Sequence, residues 1–233
     1  MGRNILLYGA ALLLVHCTAA CSQPSDEATP APVESANAPA ADAALNADTK
    51  LVMAFGDSLY AGYGVKQDES FPAQLEKALS DKGLKVSVHN AGVSGDTTAA
   101  GLQRLAFALD GLPRKPDLVI LGLGGNDMLR GINPDQTLSN MEAMLKELQK
   151  RDIDVVMTGM IAAPNLGRDY ASRFNPIFTQ LAEKYDAELY PFFLDGVITD
   201  PKLMLPDGVH PNPQGIAKTV SGISSLVADE LKG

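Results

Sequence analysis

Three residues have the types and surroundings that acyl transfer requires. Ser58 follows Gly56-Asp57 directly after a short apolar run, and Asp207-Gly208-Val209-His210-Pro211 sets an aspartate three residues ahead of a histidine. In a turn, the Asp207 carboxylate can accept the Nδ1 proton of His210. That fixes the tautomer and leaves Nε2 free to face a serine hydroxyl. Of the three histidines, His16 lies in the apolar leader, so a histidine base must be His89 or His210. His89 falls in a strand-like segment, where packing or surface exposure is the simpler account. Gly95 would let a backbone N–H come close to a tetrahedral intermediate, and Asn126, after Gly124-Gly125, could aim its NH₂ at the same oxyanion. Each residue also has an ordinary explanation. Ser58 can cap a helix, Gly95 and Asn126 can serve turns, and Asp-x-x-His arises by chance.

The elements around these residues must therefore be placed. Leu51 to Phe55 is a short apolar run suited to a buried strand, Val86 to His89 reads as a second strand, and Leu118 to Leu123 gives the strongest central-strand signal. Val155 to Thr158 and the weaker Ala187 to Tyr190 complete five strands. Helical spacing of apolar residues covers Glu69–Lys82, Thr97–Ala108 with Asp96 as a possible cap, and Pro134–Arg151. It also covers Arg168–Tyr185, with a kink or break at Pro176, and Pro213–Leu231. This alternation predicts an α/β fold: a three-layer α/β/α sandwich around a five-stranded parallel sheet. In such sheets ligands bind beyond the carboxyl ends of the strands. Ser58, Gly95, Asn126 and the Asp207–His210 loop all fall at or near that edge.

Composition removes several other chemistries. The 233 residues carry a net charge of −9 and no Lys/Arg-rich run, which argues against a nucleic-acid partner. The two cysteines, Cys17 and Cys21, both precede Ser22. The body of the chain can thus hold neither a disulfide framework nor a thiolate nucleophile or zinc site. The nucleophile elbow G-x-S-x-G is missing, and Asp127 stands where a dinucleotide motif needs its third glycine. Asp57, Asp96, Asp127 and His210 could suggest a metallophosphoesterase, but two histidines are few for a two-metal centre.

Taken together and in order, the loops resemble the blocks of the SGNH/GDSL hydrolases. Gly56-Asp57-Ser58-Leu59 resembles the first block, Gly95 the second, Gly124-Gly125-Asn126-Asp127 the third and Asp207-Gly208-Val209-His210-Pro211 the fifth. The segments Asn90 to Thr97, Ala163 to Tyr170 and Tyr190-Pro191-Phe192-Phe193 are similar to the subgroup of acyl-CoA thioesterase I, lysophospholipase L1 and arylesterases. The resemblance implies a flavodoxin-like SGNH hydrolase fold over residues 50–233 and hydrolysis of an acyl ester, thioester or lysophospholipid without cofactor or metal. It implies Ser58 as nucleophile, His210 as base, and Asp207 as the group orienting His210. The oxyanion hole would be the Ser58 and Gly95 N–H groups with the Asn126 side chain. Leu59, Tyr60, Tyr63, Ala163 and Leu166 would suit an apolar acyl chain near the serine. A carbohydrate O-deacetylase with the same triad is a rival, though the chain has no tryptophan to stack on a sugar. A tethered binding module without turnover is a second.

The N-terminus carries an export pattern. Arg3 precedes an apolar run from Ile5 to Val15. Eleven helical residues span only about 16 Å, far short of a roughly 30 Å hydrocarbon core. The run therefore reads as a signal h-region. Thr18-Ala19-Ala20-Cys21 resembles a bacterial lipobox, which implies a signal over residues 1–20 and lipidation of Cys21. The alternative is plain secretory cleavage after Ala20. Residues 21–49, rich in Ala and Pro, read as a flexible tether. The expected location is the periplasm or, through the lipid anchor, a membrane surface. Five acidic residues and one basic residue precede Lys50, so the remaining 18 basic and 23 acidic residues leave the folded part at −5.

Overall fold

The computed structural model describes Asn46 and residues 48–232. Cys21, the signal and all but the last few tether residues lie outside that range. Five strands form one sheet: β1 (Lys50–Gly56), β2 (Val86–Gly92), β3 (Leu118–Gly122), β4 (Asp154–Thr158) and β5 (Glu188–Tyr190). Their order is β2-β1-β3-β4-β5 and every neighbouring pair is parallel. Side chains alternate across the sheet, so each strand feeds two apolar layers. Met53, Phe55, Val119, Leu121 and Met157 point to one face. Val52, Ala54, Leu118, Ile120 and Val156 point to the other.

Helices cover both faces. On the first face lie α3 (Thr98–Asp110), α5 (Pro134–Lys150), α6 (Gly167–Phe174) and α7 (Pro176–Tyr185). They bury Leu105 and Leu109, then Met141, Met144, Leu145 and Leu148, then Phe174, and finally Ile177, Phe178 and Leu181. On the second face α2 (Phe71–Asp81) and α8 (Pro213–Glu230) bury Phe71, Leu75 and Leu79 against Ile216, Val220, Ile223 and Val227. Two further helices are single turns: α1 (Ser58–Ala61) after β1, and α4 (Gly125–Leu129) after β3. Among the described residues, no helix is long and apolar enough to cross a membrane.

The expected three-layer parallel architecture is thus present, with differences at element ends. β2 runs on to Gly92, because its backbone stays paired with β1 up to Gly56↔Gly92. α2 begins at Phe71 rather than Glu69, since Ser70 is extended and Pro72 suits only the first turn. The helix expected over Arg168–Tyr185 is two helices, separated where Pro176 removes a backbone donor. β1 lies between β2 and β3, so chain connections leave β1 and β3 in opposite directions. The resulting crevice at their carboxyl ends is the topological switch point, and Ser58 and Asn126 stand on its two sides.

Candidate active site

Ser58 opens α1 immediately after β1. The cap of that turn is Asp57, whose Oδ1 accepts the Leu59 N–H at 3.0 Å. The Ser58 hydroxyl is therefore not spent on capping. It meets His210 Nε2 at 2.9 Å. On the other side of the imidazole, Nδ1 lies 2.7 Å from Asp207 Oδ2. The three side chains thus form one continuous hydrogen-bonded chain, assembled across 152 positions of sequence.

The Asp207–His210 loop is shaped by its own side chain. Asp207 Oδ1 accepts the backbone N–H groups of Val209 at 2.9 Å and His210 at 3.0 Å, which is how aspartate folds a tight turn. Gly208 sits at φ +66°, a conformation that favours glycine. Leu205 N–H donates to the His210 carbonyl at 2.7 Å, and Met204 pairs with Pro211 as an antiparallel bridge. Asn212 then caps α8 by accepting from Gln214 and Gly215. The backbone N–H of His210, with that of Val209 and the imidazole, holds the Asp207 carboxyl down to about 2. The ring of Tyr63 covers His210, with centroids 4.3 Å apart and a tilt of 31°.

The expected oxyanion donors also converge. Ser58, Gly95 and Asn126 line one cavity together with His210. The Ser58 N–H is the first of its helix and has no partner inside it. Neither it nor the Gly95 N–H donates to another backbone group in the loops and turns around the site. Gly95 has φ +86°. Asn126 is more constrained than its sequence position suggested. Its Nδ2 donates to the Asp96 carbonyl at 3.0 Å and leans toward Asp57 Oδ2 at 3.4 Å.

The cavity has a volume of about 720 Å³ and a mostly apolar lining, including Leu59, Met128, Met160, Ala163 and Ile198. Of the residues expected beside the serine, Leu59, Tyr63 and Ala163 line it. Tyr60 does not. It is buried between Phe71 and Phe193, and its hydroxyl shares a 2.8 Å hydrogen bond with Thr158. Leu166 instead packs on the core of the first face. His89 is exposed on β2, three residues short of the strand's carboxyl end.

Several supporting residues were not visible as such in the sequence. Arg104 of α3 donates to the Ala91 and Gly56 carbonyls, each at 2.8 Å, and pairs with Asp96. One guanidinium thus joins the ends of β1 and β2 to the loop that carries Gly95. Asp96 is held in this pair, and Thr97 is the residue that caps α3. Asp127, fully buried, accepts the Thr98 N–H at 2.8 Å and the hydroxyls of Thr98 and Thr137. That network docks α4 on α3 and α5. The acidic residues weighed as a metal cluster thus have separate partners, and no group of three metal-ligating side chains forms among the described residues. Arg104 offers no local signal, because all its partners are distant in sequence.

The GDSL-like lipase/acylhydrolase family model matches residues 54–218. An arylesterase from Vibrio mimicus is 42% identical over 189 residues, covering 81% of this chain and 91% of that protein. A thioesterase 1/protease 1/lysophospholipase L1 from Escherichia coli K12 is 38% identical over 169 residues, covering 72% of this chain and 78% of its own length. Among solved structures, AlinE4, an SGNH-hydrolase family esterase, is 50% identical with a TM-score of 0.68. It covers 79% of this chain and 97% of its own.

Proposed function

The chain belongs to the GDSL-like lipase/acylhydrolase family and is a hydrolase of ester bonds; from that premise we propose that it works through Ser58, His210 and Asp207 by way of an acyl-enzyme. The observation that carries this reading is His210 bridging Ser58 at 2.9 Å and Asp207 at 2.7 Å. His210 Nε2 takes the serine proton as Oγ attacks the acyl carbonyl. The Asp207 carboxylate keeps the Nδ1 proton in place and stabilises the imidazolium that forms. Negative charge on the former carbonyl oxygen is met by the Ser58 and Gly95 N–H groups and the Asn126 amide. His210 then returns the proton to the leaving alcohol or thiol. Water repeats the sequence on the acyl-enzyme and frees the acid.

The apolar cavity supports substrates with an aryl or medium acyl group, in keeping with relatives named arylesterase and thioesterase/lysophospholipase. A sugar acetate gives such walls little to bind. Comparing kcat/KM across p-nitrophenyl acetate, butyrate and octanoate, an acyl-CoA, a lysophospholipid and acetylated xylan tests this. We expect the aryl and longer acyl esters to exceed acetylated xylan by at least about tenfold, as burial of several CH₂ groups implies. The reverse order would favour the deacetylase reading. The domain plan belongs to the same proposal: signal over residues 1–20, lipid anchor at Cys21, tether to residue 49 and hydrolase domain over 50–233, in the periplasm or at a membrane surface. Labelling with a radioactive fatty acid that is lost in Cys21→Ser would support the anchor. Unlabelled wild-type protein with Ala20–Cys21 cleaved would refute it.

A further inference from the structure

Asp57 is the residue beside the nucleophile for which the triad has no use. It is 4% exposed and forms no salt bridge with any Lys or Arg among the described residues. Its two oxygens have different partners. Oδ1 takes the Leu59 N–H and caps α1, while Oδ2 faces the Asn126 amide at 3.4 Å. That same oxygen packs against the Gly125 backbone, where an added Cβ would lie 3.2 Å from it. Burial pushes the carboxyl up to about 6, with the Leu59 N–H and His210 opposing and the charges of Asp96 and Asp127 reinforcing. Both of its oxygens face N–H donors, so the carboxylate acts here as an acceptor.

An asparagine amide can present either its oxygen or its NH₂ to a cavity. At Asn126 the choice is set by two acceptors, the Asp96 carbonyl and Asp57 Oδ2. A flipped amide would set its own oxygen against both. We propose that Asp57 is a positioning residue for Asn126: its Oδ2 excludes the flipped amide and carries the hydrogen that Asn126 gives to the substrate oxygen in the tetrahedral intermediate. This rests on the reading of Asn126 as an oxyanion donor. The 3.4 Å separation is long for an N–H···O bond, so moving that hydrogen to a developing oxyanion costs little.

The two oxygens allow the capping role and the positioning role to be separated. Asp57→Ser keeps a side-chain acceptor at the cap but cannot reach Asn126. The test is a double-mutant cycle in the full-length chain, measuring kcat and KM on a p-nitrophenyl ester for Asp57→Ser, Asn126→Ala and the pair. We expect Asn126→Ala to lower kcat about 100-fold and Asp57→Ser about tenfold, both with KM little changed. In the Asn126→Ala background, Asp57→Ser should cost less than about twofold. A cost that multiplies through in full in that background would make Asp57 a cap or general support and overturn the proposal. So would wild-type kcat in Asp57→Ser. If Asn126→Ala alone kept wild-type kcat, the oxyanion reading would fall first and the proposal with it. If circular dichroism shows Asp57→Ser unfolded, Asp57→Asn serves in its place, since it keeps the volume but offers only one acceptor for two donors.

Discussion

Asp207 uses both of its carboxylate oxygens, one on the backbone of its own turn and one on His210. Asp207→Asn therefore separates the two jobs. The amide oxygen can still hold the turn, but the NH₂ would face Nδ1 and impose the wrong tautomer. We expect kcat to fall by roughly 10²- to 10⁴-fold with KM little changed, and Tm at neutral pH to drop modestly, because the amide lacks the ionised carboxylate's contribution to stability. A variant that kept wild-type kcat would remove Asp207 from the mechanism. Tyr170 offers a test in the opposite direction. Its hydroxyl is buried and has no hydrogen-bond partner among the described residues, while its ring stacks on Phe174. Tyr170→Phe should leave stability unchanged or raise it by about 1–2 kcal/mol, read as a higher Tm, because an unsatisfied hydroxyl is removed at little cost in packing. At this scale the sequence points to Ser58, Gly95, Asn126, Asp207 and His210 as candidates, since each sits in a short block with local character. It was silent on Asp57 as a cap and on Tyr63 over His210, which depend on how one turn leaves its strand.

Helix α3 is the element that holds the loops in place. Arg104 spans from it to the ends of β1 and β2, and its N-terminus receives the buried carboxylate of Asp127. Arg104→Met keeps an aliphatic side chain but loses the guanidinium stacked on the Phe55 ring and its two carbonyl partners, and leaves the buried Asp96 without its cation. We expect a loss of about 2–3 kcal/mol in denaturant unfolding. The same variant should lower kcat more than it raises KM, because Ser58 and Gly95 lose their common support. A stability loss with unchanged kcat would show that the loops keep their places without it. The strands and the longer helices could be read from periodicity, since central strands are continuous apolar runs and α5 and α8 carry long stripes. α1 and α4 could not, because a single turn holds too few residues to show a period. The extension of β2 to Gly92 comes from pairing with β1, not from its own mixed composition.

At the scale of the whole molecule, the two apolar layers among the described residues run from Leu51 in β1 to Leu231, just past α8. A chain beginning at Asp48 should therefore fold and keep wild-type Tm and kcat/KM; a lower Tm would mean that the preceding segment packs on the domain. Acid response is shaped by two carboxyls with opposite signs. Asp207, held down to about 2, stabilises the fold above its ordinary 3.8, and that contribution is lost as pH falls toward 2. Asp57, pushed up to about 6, binds a proton more tightly in the folded state, so its contribution weakens as pH rises from about 4 through 6. The Tm of Asp57→Asn relative to wild type should accordingly improve between pH 4 and pH 7, by up to about 3 kcal/mol in stability. A difference independent of pH would contradict a buried, ionising carboxylate. The proposed chemistry depends on the Ser58 hydroxyl, and active-site titration with a p-nitrophenyl phosphonate reaches it directly. We predict one equivalent of p-nitrophenolate released, with loss of activity in step, a single adduct on the peptide containing Ser58, and neither labelling nor hydrolysis in Ser58→Ala. Wild-type turnover by Ser58→Ala, or an adduct on another residue, would contradict it.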